Sequence, residues 1–90
     1  MLFRSGERFA EGTKVWFWNR VLGGARGQTI YHVWLREGVE ENRVRLTLGG
    51  SHWRTQSNKT LWAGSAGEWV VEARDDSGHV LARREFVCVP

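Results

Sequence analysis

Between residues 43 and 48 the chain alternates strictly, with Val44, Leu46 and Leu48 apolar and Arg43, Arg45 and Thr47 polar. A period of two predicts an extended strand with one face on a core and the other in water. Residues 28–36 alternate differently. Ile30, His32 and Trp34 share one face while Tyr31, Val33 and Leu35 share the other, so both sides are largely apolar, as in a central strand or one whose outer side binds something. Residues 14–21 repeat this two-sided character, with Val15, Phe17 and Val21 opposed by Trp16 and Trp18. An exposed tryptophan pair is a binding platform; a cover made by Leu2, Phe3 and Phe9 would instead make it core. Residues 68–74 and 79–89 predict a hairpin whose connector, Asp75-Asp76-Ser77-Gly78, suits a type I turn followed by a left-handed glycine. The spaced oxygen ligands and distant glutamate of a calcium loop are missing from it.

Glycines at 12, 23, 24, 27, 38, 49, 50, 64, 67 and 78 cut the chain into short segments, and no stretch holds a helical period over three turns. The expectation is a single all-β domain, residues 1–90, of six or seven strands. Two packed sheets bury two-sided strands more economically than one open sheet, which predicts an immunoglobulin-like antiparallel β-sandwich with Trp34 in its core. A small β-barrel is the alternative. A chain of this size buries only roughly 60–65% of the surface it exposes when unfolded. Six tryptophans, four phenylalanines and a tyrosine compensate, each burying about 150–250 Å².

The formal net charge is +3 and the isoelectric point is near 9.8. Acidic and basic residues look intermixed, with only short runs such as Arg83-Arg84 and Asp75-Asp76, which predicts a solvated surface rather than a polyanion-binding stripe. Cys88 is the one cysteine; it excludes an intramolecular disulfide and is expected to be buried near the end of the last strand. No run approaches the ~18 apolar residues of a membrane span and no signal peptide is visible, so the expectation is a soluble chain with no membrane insertion of its own.

The most chemically dense stretch is Ser51 to Thr60, SHWRTQSNKT. Ser57 and Lys59 stand two apart on a strand, with Cα atoms ~6–7 Å apart, close enough for a nucleophile and base. A small sandwich has little room for the cleft, oxyanion hole and buried lysine such chemistry needs, so neither an enzyme nor catalytic residues are expected. His32, His52 and His79 are 20 and 27 residues apart, which matches no compact ligand motif; no metal or cofactor is expected, and His32 reads as a hydrogen-bonded histidine beside the core. Alternation sends Trp53, Thr55, Ser57, Lys59 and Leu61 inward and Arg54, Gln56, Asn58, Thr60 and Trp62 outward. The expected ligand-binding set is therefore Arg54, Gln56, Asn58 and Trp62, together with Trp16 and Trp18. Such a mixture of amides, guanidinium and rings suits a sugar or the edge of a protein partner. Ser57, Asn58 and Lys59 suit equally a structural role, satisfying backbone groups at a strand crossing. Arg54 is expected to meet an acidic ligand or a carboxylate such as Glu72 or Asp75. Aromatics interleaved with basic residues also suit single-stranded nucleic acid, but ten acidic residues spread through the same strands, and only two lysines, argue against it.

Three ordered motifs, His32-Val33-Trp34 with Gly38, Trp53-Arg54-Thr55-Gln56-Ser57-Asn58-Lys59, and Gly67-Glu68-Trp69-Val70-Val71-Glu72-Ala73-Arg74-Asp75 with Gly78, resemble a bacterial family of unknown function, DUF2914, over about Val15 to Val87. The resemblance implies a small β-domain at the carboxyl-terminal end of bacterial proteins, often behind a membrane-anchoring segment that this chain does not show, and it brings no catalytic residues. The functional expectation is a non-catalytic accessory or interaction module of a bacterial envelope or membrane-associated protein, binding a protein partner or itself through open edge strands. Binding of a cell-surface glycan and of single-stranded nucleic acid are the alternatives. The setting would be periplasmic or membrane-associated within a longer anchored protein, and cytoplasmic otherwise.

Overall fold

The computed structural model describes residues 7–90. Seven strands are formed among them: β1 (Arg8–Ala10), β2 (Lys14–Leu22), β3 (Thr29–Arg36), β4 (Val39–Thr47), β5 (His52–Thr60), β6 (Gly67–Arg74) and β7 (Val80–Val89). They make a five-stranded sheet in the order β1-β7-β6-β3-β4 and a two-stranded sheet of β2 and β5. Neighbours are antiparallel except β1, which runs parallel to β7. The fold is all-β, an immunoglobulin-like sandwich of two open sheets, and the barrel alternative is ruled out because the sheets do not close on each other. None of the described residues forms a helix long and apolar enough to cross a membrane.

The alternation in the sequence becomes the layering of the fold. On β2 every second residue is buried, Val15, Phe17, Asn19 and Val21, and the residues between are exposed. On β3 both faces are covered: Ile30, His32 and Trp34 point between the sheets, and Val33 on the opposite side is also fully buried. Its ladder neighbours are Arg43 on β4 and Glu72 on β6, long side chains of the kind whose apolar stems can shield a sheet face. The core is a chain of rings. Phe86 stacks on Trp69 at 5.9 Å and meets Phe9 edge-on at 5.5 Å and Trp34 at 6.4 Å, and Trp34 continues to Phe17. Edge-to-face contacts of this kind add about 0.5–1.5 kcal/mol beyond area burial. Cys88 is buried near the end of β7, as its apolar surroundings lead one to expect.

Two turns set the registers. Between β3 and β4 a two-residue loop, Glu37-Gly38, has positive φ at both positions, 50° and 80°, the type I′ pattern whose twist matches that of the flanking strands. Glutamate tolerates the left-handed region poorly, yet here it is tied down. Its backbone N–H donates to the Glu68 carbonyl and its carboxylate accepts from the Glu68 N–H, each at 2.8 Å. Between β6 and β7 the Asp75 side chain accepts from the amides of Ser77 and His79, both at 2.9 Å, and Gly78 takes a φ of 86°. That is the turn expected from the sequence. Gly38→Ala is predicted to destabilise the domain by about 1 kcal/mol, read by urea denaturation, because a Cβ there is strained by the left-handed backbone even though the space around it is open.

Candidate interaction face and buried polar network

The two-stranded sheet has an outer face built by strict pairing. Trp16 lies opposite Asn58, Trp18 opposite Gln56, Arg20 opposite Arg54 and Leu22 opposite His52. Aromatic and apolar side chains on β2 therefore run beside hydrogen-bonding side chains on β5. Trp16 and Trp18 are 56% and 58% exposed, far more than a core ring would be. Cations cover them: the Arg54 guanidinium lies 5.1 Å from the Trp18 ring centre and the Lys14 amine 5.9 Å from that of Trp16, within the range of cation–π attraction.

Charge is segregated between the sheets, which corrects the expectation of intermixed charge and of acidic residues spread through these strands. No Asp or Glu occurs between residues 12 and 36 or between 42 and 67, so β2 and β5 contain none. Taking Lys14, Arg20 and Arg54 from the thirteen lysines and arginines leaves ten, which equals the ten acidic residues. The whole formal net charge thus equals what this one face carries. On the five-stranded sheet and its turns the pattern is the reverse. Arg74 and Arg83 share Glu72, Arg83 also bonds Glu85, Arg43 bonds Glu40 and Arg36 bonds Glu41.

Five of the six residues singled out in the sequence, Trp16, Trp18, Arg54, Gln56 and Asn58, stand together on this face. Trp62, 67% exposed, lies beyond the end of β5, where its carbonyl accepts from the Ser65 N–H in a turn. The proposed partners of Arg54 are elsewhere: Glu72 and Asp75 belong to the other sheet and its hairpin, where Asp75 meets His79. Of the expected cover over the tryptophans, Leu2 and Phe3 lie outside the described residues, and Phe9 packs against Phe86 instead. Arg20, Leu22 and His52 complete the face and were not singled out. The signal for them was the alternation of β2 carried two residues further, combined with the absence of acidic residues on either strand.

The inner side of the same strands holds a sealed polar cluster. His32 on β3 has no exposed surface, and Asn19, Thr55 and Ser57 around it are also buried. Nδ1 lies 2.7 Å from Ser57 Oγ, and Nε2 lies 2.7 Å from Asn19 Oδ1 and 3.2 Å from Thr55 Oγ1. The Asn19 oxygen only accepts, which makes Nε2 the protonated nitrogen and leaves Nδ1 to accept from the Ser57 hydroxyl. Thr55 also donates to Asn19 Oδ1. The neutral ring is therefore fully bonded, and Phe17 closes it edge-on at 4.7 Å. Serine, histidine and asparagine here have the spacing of a nucleophile, a base and its orienter. They lie between the sheets, however, and neither surface depression of the described face and edge is lined by any of them. The cluster acts as a polar cross-link from β3 to both strands of the small sheet. The three histidines stay apart, with His32 inside, His52 on the outer face and His79 in the β6–β7 turn. Among the described residues no group of three or more His, Cys, Asp or Glu is gathered to hold a metal ion.

The family model described as a protein of unknown function (DUF2914) matches residues 27–88. The chain belongs to this family. The matched span begins later than the expected Val15 and takes in β3 to β7 almost entirely, so His32, Thr55, Ser57, Arg54, Gln56 and Asn58 are part of the DUF2914 region. Asn19, Trp16, Trp18 and Arg20 on β2 precede it. Comparison with curated proteins returned no match.

Burial pushes the pKa of His32 down from 6.5 to about 4, because the groups facing it, Phe17, Asn19, Thr55 and Ser57, are neutral and cannot replace the hydration of a cation. The unfolded chain takes up the proton below pH 6.5 and the folded one only near pH 4, so stability is full above 6.5 and falls as the pH drops through this window. The loss expected by pH 4 is about 3 kcal/mol, measurable as a falling urea midpoint. His32→Gln should be less stable at pH 7 by about 1–3 kcal/mol and should flatten the dependence between pH 6.5 and 4.

Proposed function

We propose that this DUF2914 domain is a non-catalytic interaction module, and that it meets a protein partner with the outer face of β2 and β5. The observation that carries the reading is the composition of that face: two tryptophans more than half exposed, two arginines and no carboxylate. Centres of protein interfaces are enriched in tryptophan and arginine and depleted in Asp and Glu. The uncompensated positive charge selects a partner with an acidic contact surface. It works against self-association through this face, since a two-fold contact would bring the same cations together from both copies. The family resemblance supports a bacterial envelope or membrane-associated protein as the setting.

A glycan is the second reading, supported by the side-by-side rows. Trp16 and Trp18 offer ring faces while Asn58 and Gln56, directly opposite, offer amides for hydroxyls.

The test uses in-cell photo-crosslinking from position 58, followed by affinity measurement with the purified partner. Trp16→Ala/Trp18→Ala and Arg54→Ala are each expected to weaken binding roughly 30-fold or more while leaving the melting temperature nearly unchanged, and binding should weaken steeply as salt rises. Variants that bind as the parent does would overturn the reading. A saturable tryptophan fluorescence change with one glycan of a panel, lost in the same variants, would replace it with the second.

A further inference from the structure

We propose that Arg20, Arg54 and His52 form an oxyanion site at one end of the β2–β5 face, for a phosphate group. Arg20 and Arg54 are directly opposite one another in the antiparallel ladder, where like charges destabilise a sheet. Both are exposed, and among the described residues neither reaches a carboxylate. Arg8, Arg26 and Arg45 also lack one, but Arg8 and Arg45 face Val87 and Tyr31 across their ladders rather than a second cation, and Arg26 lies in the β2–β3 connection with no ladder partner. The Arg20–Arg54 pair is thus a locally unfavourable arrangement that a bound anion turns into a favourable one.

The two arginines, with His52 and Trp53, line a depression of about 400 Å³, ample for a phosphate group. The Arg54 guanidinium lies over the Trp18 ring, a contact that favours the rotamer directed along this face. The His52 Nδ1 is engaged by Ser51 at 3.2 Å, which leaves Nε2 as the ring nitrogen for a ligand. The ligand class follows from the donors. A single carboxylate is saturated by one guanidinium fork in its own plane, whereas a tetrahedral oxyanion offers oxygens to two forks approaching from neighbouring strands and still has one for the imidazole.

The inference rests on the reading of this face as the binding face and adds the chemical group recognised there. The probe is inorganic phosphate, titrated against sodium chloride at matched ionic strength, with thermal melting and amide chemical shifts as readouts. In roughly tenfold excess over its Kd, phosphate should raise the melting temperature by about 5–10 °C and shift the amides of residues 20, 52 and 54 saturably. Arg20→Gln and Arg54→Gln should each abolish both responses, while Trp16→Ala keeps them. Without phosphate and at low salt, Arg20→Gln should melt at or above the parent temperature, because it removes a like-charge contact. No saturable response beyond chloride, an unchanged response in the arginine variants, or a clearly destabilised Arg20→Gln would each overturn the proposal. A phosphoserine peptide and inorganic phosphate run in parallel separate a phosphorylated protein from the free ion as the source. Phosphate binding with no protein partner would fail the preceding reading alone; partner binding with no phosphate response would fail this one alone.

Discussion

Two strands cannot stand alone as a sheet, and the attachment of β2 and β5 to the larger sheet is the constraint on which the remaining features depend. Each has one ladder neighbour, so everything else that holds them is side-chain contact across the sandwich. Rings and aliphatic side chains supply that contact, with Phe17 meeting Trp34, the Lys59 amine over Trp69, and Val15, Val21 and Leu61 in the same core. Apolar packing alone tolerates sliding, because one hydrophobic side chain fits roughly where another did. The His32 cluster does not. Its hydrogen bonds to Asn19, Thr55 and Ser57 are made only when β2, β3 and β5 are all in the observed register, and a slip leaves buried polar groups unpaired.

Register in turn decides what the outside looks like. A one-residue slip of either strand would exchange that strand's two faces; for β2 it would bring Trp16, Trp18 and Arg20 inside and Phe17 and Asn19 out. The buried histidine and the exposed tryptophans are therefore two sides of one pairing. Trp34 offers a contrast: its ring is sealed in the core, and its Nε1 finds no acceptor among the described residues, a cost offset by the area the ring buries.

The two sheets treat charge differently, and physics gives the reason the difference matters. The five-stranded sheet pairs Arg36, Arg43, Arg74, Arg83 and Arg84 with carboxylates, leaving Arg8 and Arg45 apart from one another on β1 and β4. The outer side of β2 and β5 leaves Lys14, Arg20 and Arg54 to the aromatic rings and to solvent. Carrying like charges on the smaller sheet costs stability where the domain has least to spare, and such costs concentrate at functional surfaces. The edge strand β4 shows the opposite economy. It is exposed along most of its length, and its charged residues Glu40, Glu41, Arg43 and Arg45 discourage pairing with another chain.

Much of this was legible in the residues themselves. A period of two is local, so strands, most of their faces and the buried Trp34 could be read from spacing, and the Asp75–Gly78 turn from the hydrogen-bonding habits of its side chains. Trp53, expected inward, is instead exposed at the start of β5, where the strand end leaves its ring partly uncovered. The absence of acidic residues from β2 and β5 was also written in the chain, but it acquires meaning only once those strands are known to be each other's neighbours. Pairing over 36 positions, as between Asn19 and Thr55, leaves no local trace. For that reason the sequence could suggest a hydrogen-bonded His32 and could not name its partners, and it offered Glu72 and Asp75 to Arg54 when the fold had placed them on the other sheet. Alternation by itself determined which way each side chain points along its strand. Tertiary structure alone decided which strands meet, and so which side chains become a sealed network and which become an unpaired cationic face, because that choice is made by packing energies summed over residues far apart in sequence.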